Sequence, residues 1–191
     1  MEPTLVHLDG RQIRVLAHPL RARLLGRLRL DGPATATRLA EALGTNTGAT
    51  SYHLRRLAEV GLVLEDESAG RGRERWWRAA HGMSSWQRDA FAGDPDATAA
   101  SDWLDSYGLS RFVARAESWQ RARPGESPSW RSAAESSDYF LTLGSEQLRA
   151  LTAEIEGVIE RYRALGDSEP GPDARQILLY LYAMPRVEDP S

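Results

Sequence analysis

A chain of 191 residues has room for one ordinary domain or two small ones, and 41% hydrophobic residues suffice for a core, which excludes disorder throughout. Cys is absent, so disulfides, thiolate metal sites and cysteine nucleophiles are excluded. The net charge of -3 hides an asymmetry: residues 1–81 hold 13 Arg against 9 acidic residues, a net of +4, while residues 82–191 hold 11 Arg against 18 acidic residues, a net of -7. Such a split suggests two modules with different partners. No apolar run reaches the length of a bilayer crossing, and the opening MEPTLVHLDG lacks the basic and apolar segments of a secretory signal. The expected location is the cytoplasm, with no membrane partner.

In chain order, residues 10–17 (GRQIRVLA) predict a short helix with Ile13, Leu16 and Ala17 on one side. His18-Pro19 punctuates it, His18 serving as a cap or turn. Proline suits a first helical turn, so a second helix is expected from Pro19 to Leu30, burying Leu20, Leu24, Leu25 and Leu28 and leaving Arg21, Arg23, Arg27 and Arg29 in solvent. Asp31-Gly32-Pro33 ends it. A third helix, capped by Thr35 or Thr37, carries Leu39, Ala40 and Leu43 inward and stops at Gly44.

The fourth helix begins oddly. Asn46 is a good N-cap, but Thr47, Gly48, Ser51, Tyr52 and His53 are mediocre or poor helix formers, whereas Leu54, Leu57 and Val60 make an ordinary apolar face. Two helices joined by a tight Gly-containing turn, the second starting with small polar residues, form the pattern of a helix-turn-helix. In that pattern the second helix sends its N-terminal half into the major groove. Small side chains at Thr47 and Gly48 let the backbone approach DNA, while Asn46, Ser51 and Tyr52 offer hydrogen bonds to bases or phosphates and Arg55 and Arg56 act as phosphate clamps. His53, just before Leu54, either packs or bonds the backbone at the helix's inner shoulder, or reaches a phosphate.

Residues 62–66 and 75–79 read as two strands around the Gly-rich loop of residues 68–73, a hairpin with a basic tip. Helix-turn-helix plus hairpin is a winged helix, whose Arg71, Arg73 and Arg75 would lie along phosphates or enter the minor groove. The alternative is a solvated hairpin with Arg75 paired across it to Glu65 or Glu67.

The fragments LAHPLRARLLGRL, ATRLAEALG, SYHLRRLAEVGLV and GRGRERWW, in this order and spacing over about residues 10–80, resemble the winged-helix domain of ArsR-type bacterial transcription regulators. The resemblance implies a homodimer that binds a roughly palindromic operator in double-stranded DNA through paired recognition helices, usually as a repressor released by a signal. It does not carry over the metal sensor of some branches: besides the missing Cys, no two of His7, His18, His53 and His81 stand at helical ligand spacing. No metal and no cofactor is expected.

In the second half, a helix is expected from residues 94–95 to about residue 123, with Leu109, Phe112, Val113, Ala116 and Trp119 inward. Residues 138–143 (DYFLTL) read as a strand. Ser145 should cap a long helix burying Leu148, Leu151, Ile155, Val158, Ile159 and Tyr162, and residues 176–183 (QILLYLYA) read as a further strand. All six Trp lie between Trp76 and Trp130, where they would line a packed domain interface or dimer seam, or else a pocket for a small apolar ligand.

The expected fold is α+β and mainly helical: a winged helix-turn-helix domain over residues 1–81 and, over residues 82–191, a small α+β module with long helices for dimerisation and ligand sensing. The expected function is that of a sequence-specific DNA-binding regulator, a dimeric repressor under a non-metal signal. The alternative is a winged-helix adaptor that binds protein and not DNA. An enzyme is not expected, since no phosphate loop, metal-ligand spacing or nucleophile with its base is recognisable.

Overall fold

The computed structural model describes residues 5–68 and 74–187. By its internal contacts the chain falls into Met1–Arg115 and Ala116–Ser191. The first unit thus runs past residue 81, where the expected first domain ends, into the start of a long helix.

The first unit is built on four short helices, α1 (Gly10–Leu16), α2 (Pro19–Leu30), α3 (Ala36–Leu43) and α4 (Thr47–Ala58). Each starts where a side chain satisfies an orphan N–H of its first turn. Asp9 and Gln12 form a reciprocal capping box on α1, with Gln12 N–H donating to Asp9 Oδ1 at 2.7 Å. His18 Nδ1 accepts from Leu20 N–H at 3.1 Å at the head of α2. Thr35, rather than Thr37, caps α3, and Asn46 Oδ1 accepts from Ala49 N–H at 2.8 Å on α4. The tight turn between α3 and α4 depends on Gly44, whose φ of 62° lies in the left-handed region. That conformation aims the Gly44 N–H back at the carbonyls of Ala40 and Glu41.

The apolar faces of these helices meet in one core. Leu24, Leu25 and Leu28 of α2, Leu39 and Leu43 of α3, and Leu54 and Leu57 of α4 are buried together with Leu62, Val63 and Trp77. Leu20 is only partly buried against it. The expected hairpin is present as β3 (Val63–Glu65) and β4 (Trp76–Ala79), paired antiparallel, and a two-residue strand β2 (Ala34–Thr35) adds to the other edge of β4, with Ala34 opposite Trp77. A second, parallel pair joins β1 (Leu5–His7) to β5 (Met83–Ser85). α1 is tied to the far end of α4: Gln12 Nε2 donates to the Val60 carbonyl at 3.0 Å and the Arg11 guanidinium to that of Glu59 at 3.4 Å.

Arg29 departs from expectation. Its guanidinium does not stay in solvent but donates to the His81 carbonyl at 3.0 Å and to Ser84 Oγ at 2.6 Å, joining α2 to the segment after β4. Burial pushes its pKa down to about 10. Arg21 is likewise partly buried, its Nε donating to the Val15 carbonyl.

The long helix α5 (Pro95–Ala122) begins and ends where expected, but its buried residues are Ala97, Ala100, Ser101 and Leu104, not the stripe starting at Leu109. Small side chains let this first part of α5 lie close against the core, whereas Leu109 and Val113 are exposed. A short helix α6 (Pro128–Ala133) and the long α7 (Ser145–Ser168) follow. Ser145 is the first helical residue rather than the cap; the Gly144 N–H donates to Gln147 Oε1 at 2.9 Å.

The two strands expected around α7 are overturned: no described residue of 138–143 or 176–183 is assigned to a strand. Their aromatic and aliphatic content reports fit to a pleated, half-buried surface, not a ladder. Here both runs are solvent-facing, with Phe140 93% and Leu179 67% exposed. The expected inward positions of α7 are at best half-buried, and Tyr162 is 69% exposed. The fold as a whole is α+β and mainly helical, its sheets lying in the first unit among the described residues. No helix among the described residues is long and apolar enough to cross a membrane.

Candidate nucleic-acid interface

The odd start of α4 becomes intelligible from which way its side chains face. Thr50, Leu54 and Leu57 point into the core and are buried. Thr47, Ser51 and Arg55, four residues apart, form a stripe about a quarter turn round the helix from that buried face and line a cleft of about 360 Å³. Thr35, Ala36 and Thr37 at the start of α3 and Glu74, Arg75 and Trp77 of the hairpin complete its walls. Three elements that could each touch a duplex thus converge: the head of one helix, the outer face of the next, and the root of the wing.

Tyr52 stands beside this stripe, 54% exposed despite its size. Its ring and hydroxyl are thus open to a partner in solvent. Gly48 has a local reason as well: a Cβ there would stand 3.3 Å from Asn46 Oδ1, the atom that caps the helix. Asn46 is therefore committed through that oxygen to its cap.

The five candidate arginines divide. Arg55 is exposed in the cleft. Arg56 is paired with Glu59 one turn on. Arg75 is paired across the hairpin with Glu65 at 3.0 Å and lies over the Trp77 ring at 5.8 Å, so it is oriented at the cleft's edge. An exposed pair of this kind is worth roughly 0–1 kcal/mol and can exchange its carboxylate for a phosphate. Arg71 and Arg73 lie outside the described residues.

His53 does not share the outer face. Its ring packs on that of His18 with centroids 4.5 Å apart and meets Tyr52 edge-on at 5.1 Å. Of the two readings of this residue, packing at the inner shoulder describes its position.

Sequence reasoning missed Arg38, exposed on α3 with its guanidinium 4.8 Å above the Trp76 ring. It also read Thr35 and Thr37 only as caps, although the head of the first helix in such a motif faces the same side as the second. The Trp residues divide: Trp77 is in the core with Trp86 and Trp103 packed against it, Trp103 stacking on Tyr107 at 5.0 Å, whereas Trp76 lies under Arg38 and, in the second unit, Trp130 lies under Arg175. No group of three His, Asp or Glu among the described residues is placed to hold a metal ion.

Residues 16–66 match the family described as "Helix-turn-helix domain". The chain is similar to the HTH-type transcriptional regulator NmtR of Mycobacterium tuberculosis (strain ATCC 25618 / H37Rv), 46% identical over 59 residues, which are 31% of this chain and 48% of that protein. It thus spans about half the length of that relative. Among solved structures, it is similar to the homodimeric winged helix-turn-helix DNA-binding domain of Mb0332 from Mycobacterium bovis, described as a possible ArsR-family regulator, at 23% identity over 55% of this chain and 76% of that one, TM-score 0.34. A possible transcriptional regulator for arsenical resistance matches at 32% identity over 55% of this chain and 94% of the other, TM-score 0.33.

Proposed function

We propose that this protein is a cytoplasmic transcription regulator whose first unit is an ArsR-type winged helix-turn-helix domain, binding double-stranded DNA as a homodimer, a repressor released by a non-metal signal; the helix-turn-helix match over residues 16–66 and the similarity to an HTH-type regulator support it. Residues 1–81 are its DNA-binding domain, and residues 82–191 serve dimerisation and sensing. The observation that carries this reading is the outward stripe of Thr47, Ser51 and Arg55, with Tyr52 beside it, opening onto a cleft edged by Arg75. Ser51 and Tyr52 offer base and phosphate contacts; Arg55, Arg56 and Arg75 clamp the backbone, Arg56 and Arg75 by exchanging Glu59 and Glu65 for phosphate.

Sequencing the duplexes retained by the purified protein from a random pool tests it. Recovery of a motif supports the reading, equal retention of every sequence would overturn its sequence specificity, and retention of none favours the adaptor. On a recovered site, Ser51→Ala, Tyr52→Ala and Arg55→Ala should each weaken binding, by about 1–3 kcal/mol where a base contact is lost, with an unchanged thermal midpoint. Unaltered affinity in all three would remove the assignment.

The dimer rests on a further observation. Among the described residues of Ala116–Ser191 no side chain is buried, although Val158, Tyr162 and Leu165 of α7 present apolar surface to solvent. A second copy would cover such faces, and twofold symmetry then gives half-sites about 10 base pairs, or a multiple of it, apart. Sedimentation should report a dimer at micromolar concentration; a monomer both free and on DNA contradicts it.

A further inference from the structure

Leucines of α2 and α4 share the core, and a polar contact stands at the head of α2. There the ring of His18 lies against the ring of His53 from the recognition helix, centroids 4.5 Å apart and planes tilted by 36°. Both imidazoles are partly buried. Each uses its Nδ1 in a way that only the neutral ring allows. His18 Nδ1 accepts the Leu20 N–H at 3.1 Å, so a lone pair must stand there. A proton on that atom would set N–H against N–H and abolish the cap of α2. His53 Nδ1 is buried with no hydrogen-bond partner, and a proton there would be an unanswered donor on a charged ring.

The charges around the pair offer no compensation. Arg21 of α2 bears on both rings, and Arg56 and Tyr52 of α4 bear in turn on Arg21. On α4 the nearby carboxylate of Glu59 is engaged by Arg56. From α1, Arg11 reaches the Glu59 carbonyl and Arg14 pairs with Asp94. From α3, Arg38 stacks on Trp76; from β3, Glu65 pairs with Arg75. A second positive charge at the pair would therefore meet cations and a protonated neighbour.

We propose that the His18–His53 contact is an acid-sensitive latch: a proton on His18 undoes the cap of α2, and a charge on either ring undoes the packing of the two rings, withdrawing the recognition helix from its DNA-competent position. The consequence for DNA rests on the function proposed above; the loss of packing does not.

The direction of the pH effect follows from linkage. Burial, with the neighbouring charges, holds both imidazoles below their ordinary range in the folded chain. The unfolded or unlatched chain keeps them near about 6.5. Between the two values the released state binds more protons, so the latch's stabilisation is complete above about pH 6.5 and is lost as pH falls below it through the folded values. Each full unit of depression makes the latched state about tenfold less favoured once both rings are charged.

The test follows the full chain from about pH 8 to about pH 5, across the ordinary imidazole range, by thermal midpoint and by titration of the His proton resonances, with DNA affinity measured alongside on a duplex the protein has selected. His18→Asn keeps a capping side chain that does not titrate, and His53→Phe keeps a packed ring without the orphan nitrogen. The native midpoint should fall with acid, the double variant should lose most of that dependence, and both native rings should titrate below the ordinary value. DNA affinity of the native chain should fall by about tenfold more than that of the double variant across the range. Rings titrating at or above the ordinary value, or equal acid loss in native and variant chains, would overturn the latch. Tighter native binding in acid would show that the added charge serves phosphate contact and would overturn it too. Failure to bind any duplex at pH 8 counts against the DNA reading, while the midpoint profile still decides the latch.

Discussion

Leu54→Ala should destabilise the first unit by about 2–5 kcal/mol, a large share of the roughly 5–15 kcal/mol by which domains are stable. Leu54 is 0% exposed and sits in the core with Leu24, Leu25, Leu28 and Leu57, where removing three carbons leaves a cavity that the surrounding leucines fill only in part. Urea unfolding should show a lower midpoint with little change in slope. Tyr52→Ala, two residues earlier on the same helix but 54% exposed, should change stability by no more than about 0.5 kcal/mol while impairing DNA binding. The pair separates the two faces of α4: one variant loses the fold first and DNA as a consequence, the other loses DNA alone. If Leu54→Ala proved neutral, or Tyr52→Ala proved as costly, the orientation of α4 described here would be wrong.

How far the sequence discloses this arrangement depends on the reach of the forces involved. The helices of the first unit were legible to within a residue or two because their ends are local events: Pro19 opens α2, Asn46 caps α4 and Gly44 takes the positive φ that stops α3, although the choice between Thr35 and Thr37 as the cap of α3 stayed open. β1, β2 and β5 were not legible. Each is two or three residues long, too short for any period, and exists only because a distant segment supplies its ladder, as Trp77 does for Ala34. The same limit hid the burial of Arg29 and the meeting of His18 with His53, contacts set by tertiary packing between separate segments. In α5, large apolar residues drew the expected inner face toward Leu109 and Trp119, whereas the helix meets the core through Ala97, Ala100 and Ser101. Small residues are weak signals of burial in a sequence and strong ones in a close approach. The outer stripe of α4 was legible for the opposite reason: Thr47, Gly48, Ser51 and Tyr52 cost helix propensity, and a cost without a benefit inside the fold points outward.

The largest effect on DNA binding is expected from the wing. Arg71 and Arg73 alternate with Gly70 and Gly72 in the sequence between β3 and β4 and lie outside the described residues, while Arg75, two positions on, edges the cleft. Neutralising both should weaken binding to selected and random duplexes alike, because contacts to phosphate carry no base information. It should also flatten the salt dependence. Each lost phosphate contact removes about 0.9 from the slope of log K against log salt, so a dimer that loses two per wing should show a slope lower by up to roughly 4. Affinity measured across a salt series on both duplexes reads this directly. Arg75→Ala provides the internal contrast, since Arg75 is paired with Glu65 in the free protein; its removal also unmasks a carboxylate beside the DNA, and should cost affinity without a greater loss of slope than one contact per protomer. A double Arg71 and Arg73 variant with native affinity and native slope would mean that the wing does not touch the duplex. The basic excess of the first unit would then serve an acidic protein surface, and the adaptor reading would take precedence.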